Sequence, residues 1–256
     1  MKITRKDFLR LSGLSLLAFA GRKAVQAVTE LTGAPAAAAG GPAKATRWGM
    51  AIDLGKWRNR PDADKCIKAC NSAHNVPQIP DPREVRWIWE QPFETVFPEE
   101  QTDYTRKAYA GHPIPVMCNH CDNPACVRVC PTGATWKRED GIVMMDWHRC
   151  IGCKYCVVAC PYDARSFNFS DPVAYIKPVN PEFPTRSMGV VEKCNFCAER
   201  LAEGKPPVCV EASPDKSMIF GNLADPNSEI RQVLGSRYSI RRKPELGTQP
   251  NVFYIV

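Results

Sequence analysis

The sequence predicts an α+β fold of two interlaced modules with long loop insertions, and three observations carry that expectation. Its 13 cysteines fall into four groups of close spacing. An internal repeat of 30 residues pairs Cys126 with Cys156, Cys130 with Cys160, Pro131 with Pro161 and Ala134 with Ala164. Within it, Thr135 to Lys137 and Ile142 to Met145 flank Glu139-Asp140-Gly141, where Asp-Gly between apolar-rich runs reads as a hairpin turn.

Length and composition set the outer limits. A chain of 256 residues allows one or two domains. With 44% hydrophobic and 24% charged residues, wholesale disorder is excluded. No run of 18 apolar residues occurs, so no lasting transmembrane helix is expected. The formal charge of +7 is unevenly placed: Lys2, Arg5, Lys6, Arg10, Arg22 and Lys23 face Asp7 alone in the first 27 residues. The remainder is nearly balanced, so no nucleic-acid partner is expected.

The N-terminus reads as an export signal over residues 1–27. A basic start precedes the apolar stretch Leu11 to Ala20, which is too short to span a bilayer. Thr4-Arg5-Lys6-Asp7-Phe8-Leu9 is similar to the twin-arginine motif, with Lys6 where the second arginine would stand. Val25-Gln26-Ala27 offers small residues for cleavage after Ala27; an uncleaved amphipathic helix is the alternative. Residues 28–46, rich in Ala, Gly and Pro, read as a flexible linker. The folded domain is expected over 47–256, with its core at about 110–170.

The cysteine spacing carries the chemistry. The second group is Cys118-x2-Cys121-x4-Cys126-x3-Cys130-Pro131, and the third is Cys150-x2-Cys153-x2-Cys156-x3-Cys160-Pro161. The third matches the bacterial ferredoxin run, in which the fourth cysteine, followed by proline, ligates the other cluster of a pair. Two ferredoxin-like 4Fe-4S ligand sets follow: Cys118, Cys121, Cys126 and Cys160 (the first set), and Cys150, Cys153, Cys156 and Cys130 (the second). Zinc knuckles or disulfides are the alternatives, but zinc sites lack the mark of a fourth cysteine followed by proline.

The fourth group, Cys194-x2-Cys197-x11-Cys209-x3-Ser213-Pro214, has serine at the fourth-cysteine position. The first group, Cys66-x3-Cys70, looks like the tail of a run whose first two members are missing, with Trp57 near where the first would be. The same exchange rule completes one more set: Cys194, Cys197, Cys209 and Cys70 (the third set). Its partner retains Cys66 alone. Three 4Fe-4S clusters are therefore expected, with one cluster lost. The alternative for the third set is zinc held with Cys70 or a histidine. Cys66 has three readings: a buried apolar filler, a relic redox-active with Cys70, or a ligand to a residual cluster completed by oxygen donors.

The stretches CNHCDNPACVRVCPTGA, REDGIVMMDWHRCIGCKYCVVACPYDARSFNF, PEFPTRSMGVVEKCNFCAERLAEGKPPVCVEAS and IRRKPELGTQPNVFYIV resemble the DsrO-type exported iron-sulfur subunits of DsrMKJOP and Hdr-like menaquinol oxidoreductase complexes. The resemblance covers residues 47–256 and, more loosely, the signal. It implies an electron-transfer subunit on the extracytoplasmic face of the cytoplasmic membrane, held there by partner subunits. Those partners would be a multispanning quinone-interacting membrane subunit, a multihaem cytochrome c and heterodisulfide-reductase-like subunits. It implies no substrate-converting site, and no catalytic residue is assigned. Twin-arginine transport carries folded proteins, so clusters could be inserted before export. Rival readings are the iron-sulfur subunit of a molybdopterin reductase and, of another class, a zinc-stapled adaptor.

Lesser features receive plainer readings. His74, His112, His120 and His148 are assigned to packing and hydrogen bonding. The aromatic segment Arg83 to Phe97 reads as a cover over the clusters, Arg241-Arg242-Lys243 as a solvated face, and Val252 to Val256 as a final strand.

Overall fold

The computed structural model describes residues 46–59, 64–80, 82–213 and 215–256. The second of two compact units, Lys44–Val256, holds all of them. The expected signal, and all of the expected linker except Thr46, lie outside the described residues.

The chain enters through β1 (Trp48–Asp53), buried from Gly49 onward, as in a strand covered on both faces. Asp53 ends the strand and caps α1 (Leu54–Trp57), its side chain accepting from the Lys56 N–H at 3.1 Å. Next come α2 (Asp64–Ala73), β2 (Ile88–Pro92), α3 (Phe93–Val96), α4 (Asp103–Tyr109) and β3 (Pro113–Met117). The aromatic segment forms β2 and α3, and β2 pairs antiparallel with β3. Trp87, Trp89, Phe93 and Phe97 are buried there, in the same core as Cys66, Cys70, Cys118 and Cys121, which suits the expected cover.

The repeat has a structural form. Helices α5 (Ala125–Arg128) and α6 (Tyr155–Val158) stand 30 residues apart and pack together. Each is followed by one turn geometry. The Cys130 N–H donates to Val127 O and the Gly133 N–H to Cys130 O, while Cys160, Val157 and Asp163 repeat the pattern. Gly133 and Asp163 both have left-handed backbones, φ +63° and +55°. The expected hairpin is present: β4 (Thr135–Lys137) pairs with β5 (Val143–Met145), with Gly141 at φ +87° in the turn. In the second repeat β6 (Ser166–Phe167) pairs with β7 (Val191–Glu192) across a long insertion.

The last part runs α7 (Ala198–Ala202), α8 (Val208–Glu211), β8 (Met218–Asn222), α9 (Glu229–Ser236), β9 (Ser239–Ile240) and β10 (Val252–Ile255). Short 3-10 turns lie at Pro98–Glu100, Pro172–Tyr175 and Pro244–Leu246. The expected final strand is β10, and it lies inside a four-stranded sheet of order β8-β1-β10-β9. It runs parallel to β1, with Met50 opposite Val252 and Asp53 opposite Ile255. On one side Ile230 of α9 joins Ala51, Ile219, Leu223 and Ile255. Met50, Ile52 and Tyr254 belong to the large core that contains Cys66, Cys70, Cys118, Cys121 and Cys209. Mixed helix and small sheets make this an α+β fold, as expected.

Candidate metal centre

No disulfide joins any of the thirteen cysteines. Burial and mutual charge group them. Cys121 is pushed up to about 12, first by burial, then by charge on Cys118, with Cys126 and Cys160 adding to it. Cys160, from the third group, is raised by burial and by Cys118 and Cys126 of the second. Cys156 is raised by burial, with charge on Cys126 and Cys150 contributing, and it packs with Cys126, Cys130 and Cys150. Cys130 is held below the usual thiol range: slight burial works against it, but backbone N–H groups from Thr132, Ala134 and Thr135 and the Thr132 hydroxyl outweigh that. Cys153 is exposed at the outer edge.

The thiols of the third set act on one another. Burial raises Cys70 most, followed by charge on Cys194, Cys209 and Cys197. Cys194 is pushed up to about 12 by burial and then by charge on Cys118. Burial likewise raises Cys197 and Cys209, with neighbouring thiolates adding to it. Such thiols cannot ionise together without a cation, and a metal centre supplies one.

The backbone fits the same chemistry. The third residue of the Cys-x2-Cys that opens each of the last three groups, namely His120, Gly152 and Phe196, is left-handed, at φ +41°, +70° and +54°. Such reversals turn successive N–H groups inward, the arrangement that receives anionic sulfur. The Phe196 N–H points at Cys194 Sγ and the Val208 N–H at Cys197 Sγ, each at 3.4 Å. The residues present fit iron-sulfur ligation.

Ser213 occupies a fourth-cysteine position by geometry. Its N–H donates to Val210 O, the Lys216 N–H returns to Ser213 O, and Lys216 has φ +56°, as in the turns of Cys130 and Cys160. Its hydroxyl contacts Ser217 Oγ at 2.7 Å and Asp215 Oδ1 at 3.0 Å. Cys66 is fully buried in the apolar core, with its thiol directed at Ala212 O at 3.6 Å. That surrounding suits the filler reading. Trp57 is buried too, and its indole donates to Glu90 Oε1 at 2.9 Å.

The histidines are held as packing groups. His74 is stacked on Trp87 and bonded through Nε2 to Glu199 Oε1 at 2.9 Å and through Nδ1 to Cys70 O at 2.9 Å. Among the described residues, ligand atoms of His74, Cys197 and Glu199 lie within 4.8 Å of one another, so the zinc alternative has geometry there. His120 Nδ1 accepts from the Val143 N–H at 3.1 Å, and its ring stacks on Phe196 at 3.7 Å between centroids. His148 is exposed, 3.5 Å from Asp146. The carbonyl of exposed His112 accepts from Phe93.

The basic run near the C-terminus is a correction. Arg242 is buried, lies over the Tyr162 ring at 5.4 Å and donates to Tyr162 O, while Lys243 donates to Pro161 O. These cations close the turn after Cys160 instead of forming a solvated face, because buried carbonyls there need donors. Sequence reasoning also missed Arg165, Lys193, Arg186 and Glu192, all buried. Their only local signal is nearness to cysteines, and burial of a charge is not legible from one sequence.

Residues 110–223 match the 4Fe-4S dicluster domain family. The chain is 38% identical to the Hdr-like menaquinol oxidoreductase iron-sulfur subunit 1 of Archaeoglobus fulgidus, over 98% of this chain and 97% of that one. It is 35% identical to the iron-sulfur cluster-binding subunit of a menaquinone reductase from Nitratidesulfovibrio vulgaris, over 82% and 88%. It is 37% identical to the B subunit of the polysulfide reductase of Wolinella succinogenes, over 76% and 91%. With ligand-like thiol sets on cluster-binding turns and near full-length similarity, the chain belongs to the family of iron-sulfur electron-transfer subunits of oxidoreductases that these relatives represent.

Proposed function

We propose that the chain is an electron wire carrying three 4Fe-4S clusters in a menaquinol-linked membrane complex. Electrons would pass between a quinone-interacting membrane subunit and a multihaem cytochrome c. The observation that carries this is the continuity of the thiol sets. Cys126 of the first set acts on Cys156 of the second, and Cys118 of the first acts on Cys194 of the third. The first set thus lies between the other two. Iron-sulfur clusters supply one-electron transfer, and the chain holds them within reach of one another. The outer edge at Cys153 is ringed by exposed Ile151, Tyr155 and Val158, a surface suited to docking a partner.

The ligand sets of this reading are Cys118, Cys121, Cys126 and Cys160; Cys150, Cys153, Cys156 and Cys130; Cys194, Cys197, Cys209 and Cys70. The two modules interlace through Cys160, Cys130 and Cys70. Export through the signal at residues 1–27 would place the folded domain on the extracytoplasmic face, where partner subunits hold it. No helix among the described residues is long and apolar enough to cross a membrane. Heterodisulfide-reductase-like subunits complete the proposed assembly. The similarity to a polysulfide reductase subunit keeps a molybdopterin reductase partner as the second reading. Co-purification separates the two: a cytochrome c supports the first, a molybdopterin subunit the second.

Iron and acid-labile sulfide per chain on anaerobically purified protein test the cluster reading. About 12 of each is expected, falling to about 8 in Cys70→Ala and holding in Cys66→Ala. About 16 would give the degenerate site a cluster. Zinc with negligible iron would overturn the reading.

A further inference from the structure

Two cations lie among the cysteine sets with no carboxylate partner among the described residues. Lys193 is 2% exposed, and its Nζ donates to Val143 O and, at 2.7 Å, to Cys194 O. Arg165 is 3% exposed and donates to Thr135 Oγ1 at 2.8 Å, to Cys126 Sγ at 3.1 Å and toward Met145 Sδ at 3.8 Å. Arg186, as deeply buried, shows the ordinary solution: its guanidinium meets Glu192 at 2.5 Å. A buried charge without a counter-charge is too costly to keep. Burial most, with the charge of Arg165 adding to it, holds the Lys193 amine below its usual range against the opposing charge on Cys118, Cys194 and Cys126. Its placement ties it to two sets: Nζ meets Cys194 O of the third, and it meets Val143 O beside the Cys118–Cys121 loop, where the Val143 N–H donates to His120 Nδ1. The negative groups that act on Arg165 are thiolates, Cys126 foremost, then Cys156, Cys118 and Cys160.

We propose that Lys193 and Arg165 are positioning residues whose fixed charges raise the reduction potential of the cluster on the first set, Lys193 sharing its effect with the third set and Arg165 with the second. The inference rests on the three-cluster reading above. Reduction adds one negative charge to a cluster. A positive charge held nearby, away from water, favours that reduced form. Both cations face the first set, which is the middle of the wire. There they keep the central step accessible to electrons arriving from either side. Neither residue accepts an electron; each acts through the cluster beside it.

The test is a potentiometric titration followed by electron paramagnetic resonance on the full-length, cluster-loaded chain, with iron measured in parallel. Signals are assigned with Cys153→Ser and Cys197→Ser. Lys193→Gln keeps a donor for the two carbonyls but removes the charge. It should make the first set at least tenfold harder to reduce, about 59 mV for one electron, with a smaller fall at the third set and none at the second. Arg165→Gln should lower the first and second sets and leave the third unmoved, while Arg165→Lys should hold wild-type potentials. Unchanged potentials in both Gln variants at wild-type iron content would overturn the proposal. An equal shift of all three signals would overturn it too, because that marks a general structural effect. If Lys193→Gln loses iron, the Arg165→Gln and Arg165→Lys pair decides. Absence of iron in the wild-type chain would instead defeat the cluster reading itself.

Discussion

At the residue scale, the interior holds polar groups whose partners are few and specific. Glu192 is fully buried and receives Arg186, the Trp87 indole at 3.0 Å and the Asn168 amide. Arg186 also donates to His74 O and Asn75 O, so one ion pair ties the loop before β7 to the end of α2. Glu192→Ala would leave the guanidinium without its counter-charge. A loss of about 3–5 kcal/mol is expected, read as a lower denaturant midpoint under anaerobic conditions. Tyr254 is another such group. Its hydroxyl donates to Pro115 O at 3.1 Å, and burial raises its pKa to about 12. The unfolded phenol ionises near pH 10, so the folded form binds its proton more tightly. Stability from this group is complete below pH 10 and is lost as pH climbs from about 10 to 12, by about 2–3 kcal/mol. Over that window Tyr254→Phe should lose less stability than wild type, seen in paired alkaline unfolding curves.

At the element scale, short helices and left-handed turns do the positioning. The helices that carry Cys126, Cys156 and Cys209 are four residues long, too short to persist alone. Packing and metal ligation must hold them, so loss of a cluster should loosen its own loops. Gly152 shows how tight these turns are. It has φ +70°, and an added Cβ would lie 2.4 Å from Gly189 O. Gly152→Ala therefore strains the Cys150–Cys153 loop and pushes it from the insertion. Loss of about 4 iron atoms per chain is expected, with the signal of the second set missing and the others kept. Iron at wild-type content would show that the insertion yields instead.

At the scale of the whole molecule, the two ends of the described chain close one sheet. Strand β10 fills the gap between β1 and β9, and its Val252, Tyr254 and Ile255 are buried. Truncation after Pro250 would expose both neighbouring edges and remove Tyr254 from the core. Insoluble or cluster-free protein is the expected outcome; a soluble chain with about 12 iron atoms would show the sheet to be dispensable.

The sequence alone determined the cysteine chemistry, the hairpin at Asp140-Gly141 and the final strand. Each of these is local: a ligand loop, a turn or an apolar run reaches only a few residues along the chain. The spacing also marked Ser213 as a substitute at a fourth-cysteine position, and the turn closed by Lys216 agrees. Tertiary structure decided what depends on distant partners. It directed the Cys66 thiol, whose role the sequence left open, at Ala212 O, and it enclosed Lys193 and Arg165 among thiols. It also turned Arg242 from an expected solvated face into a donor inside the turn after Cys160. The physical reason is common to all three. A charge or thiol takes its character from what surrounds it, and those surroundings come from segments tens to more than a hundred residues away.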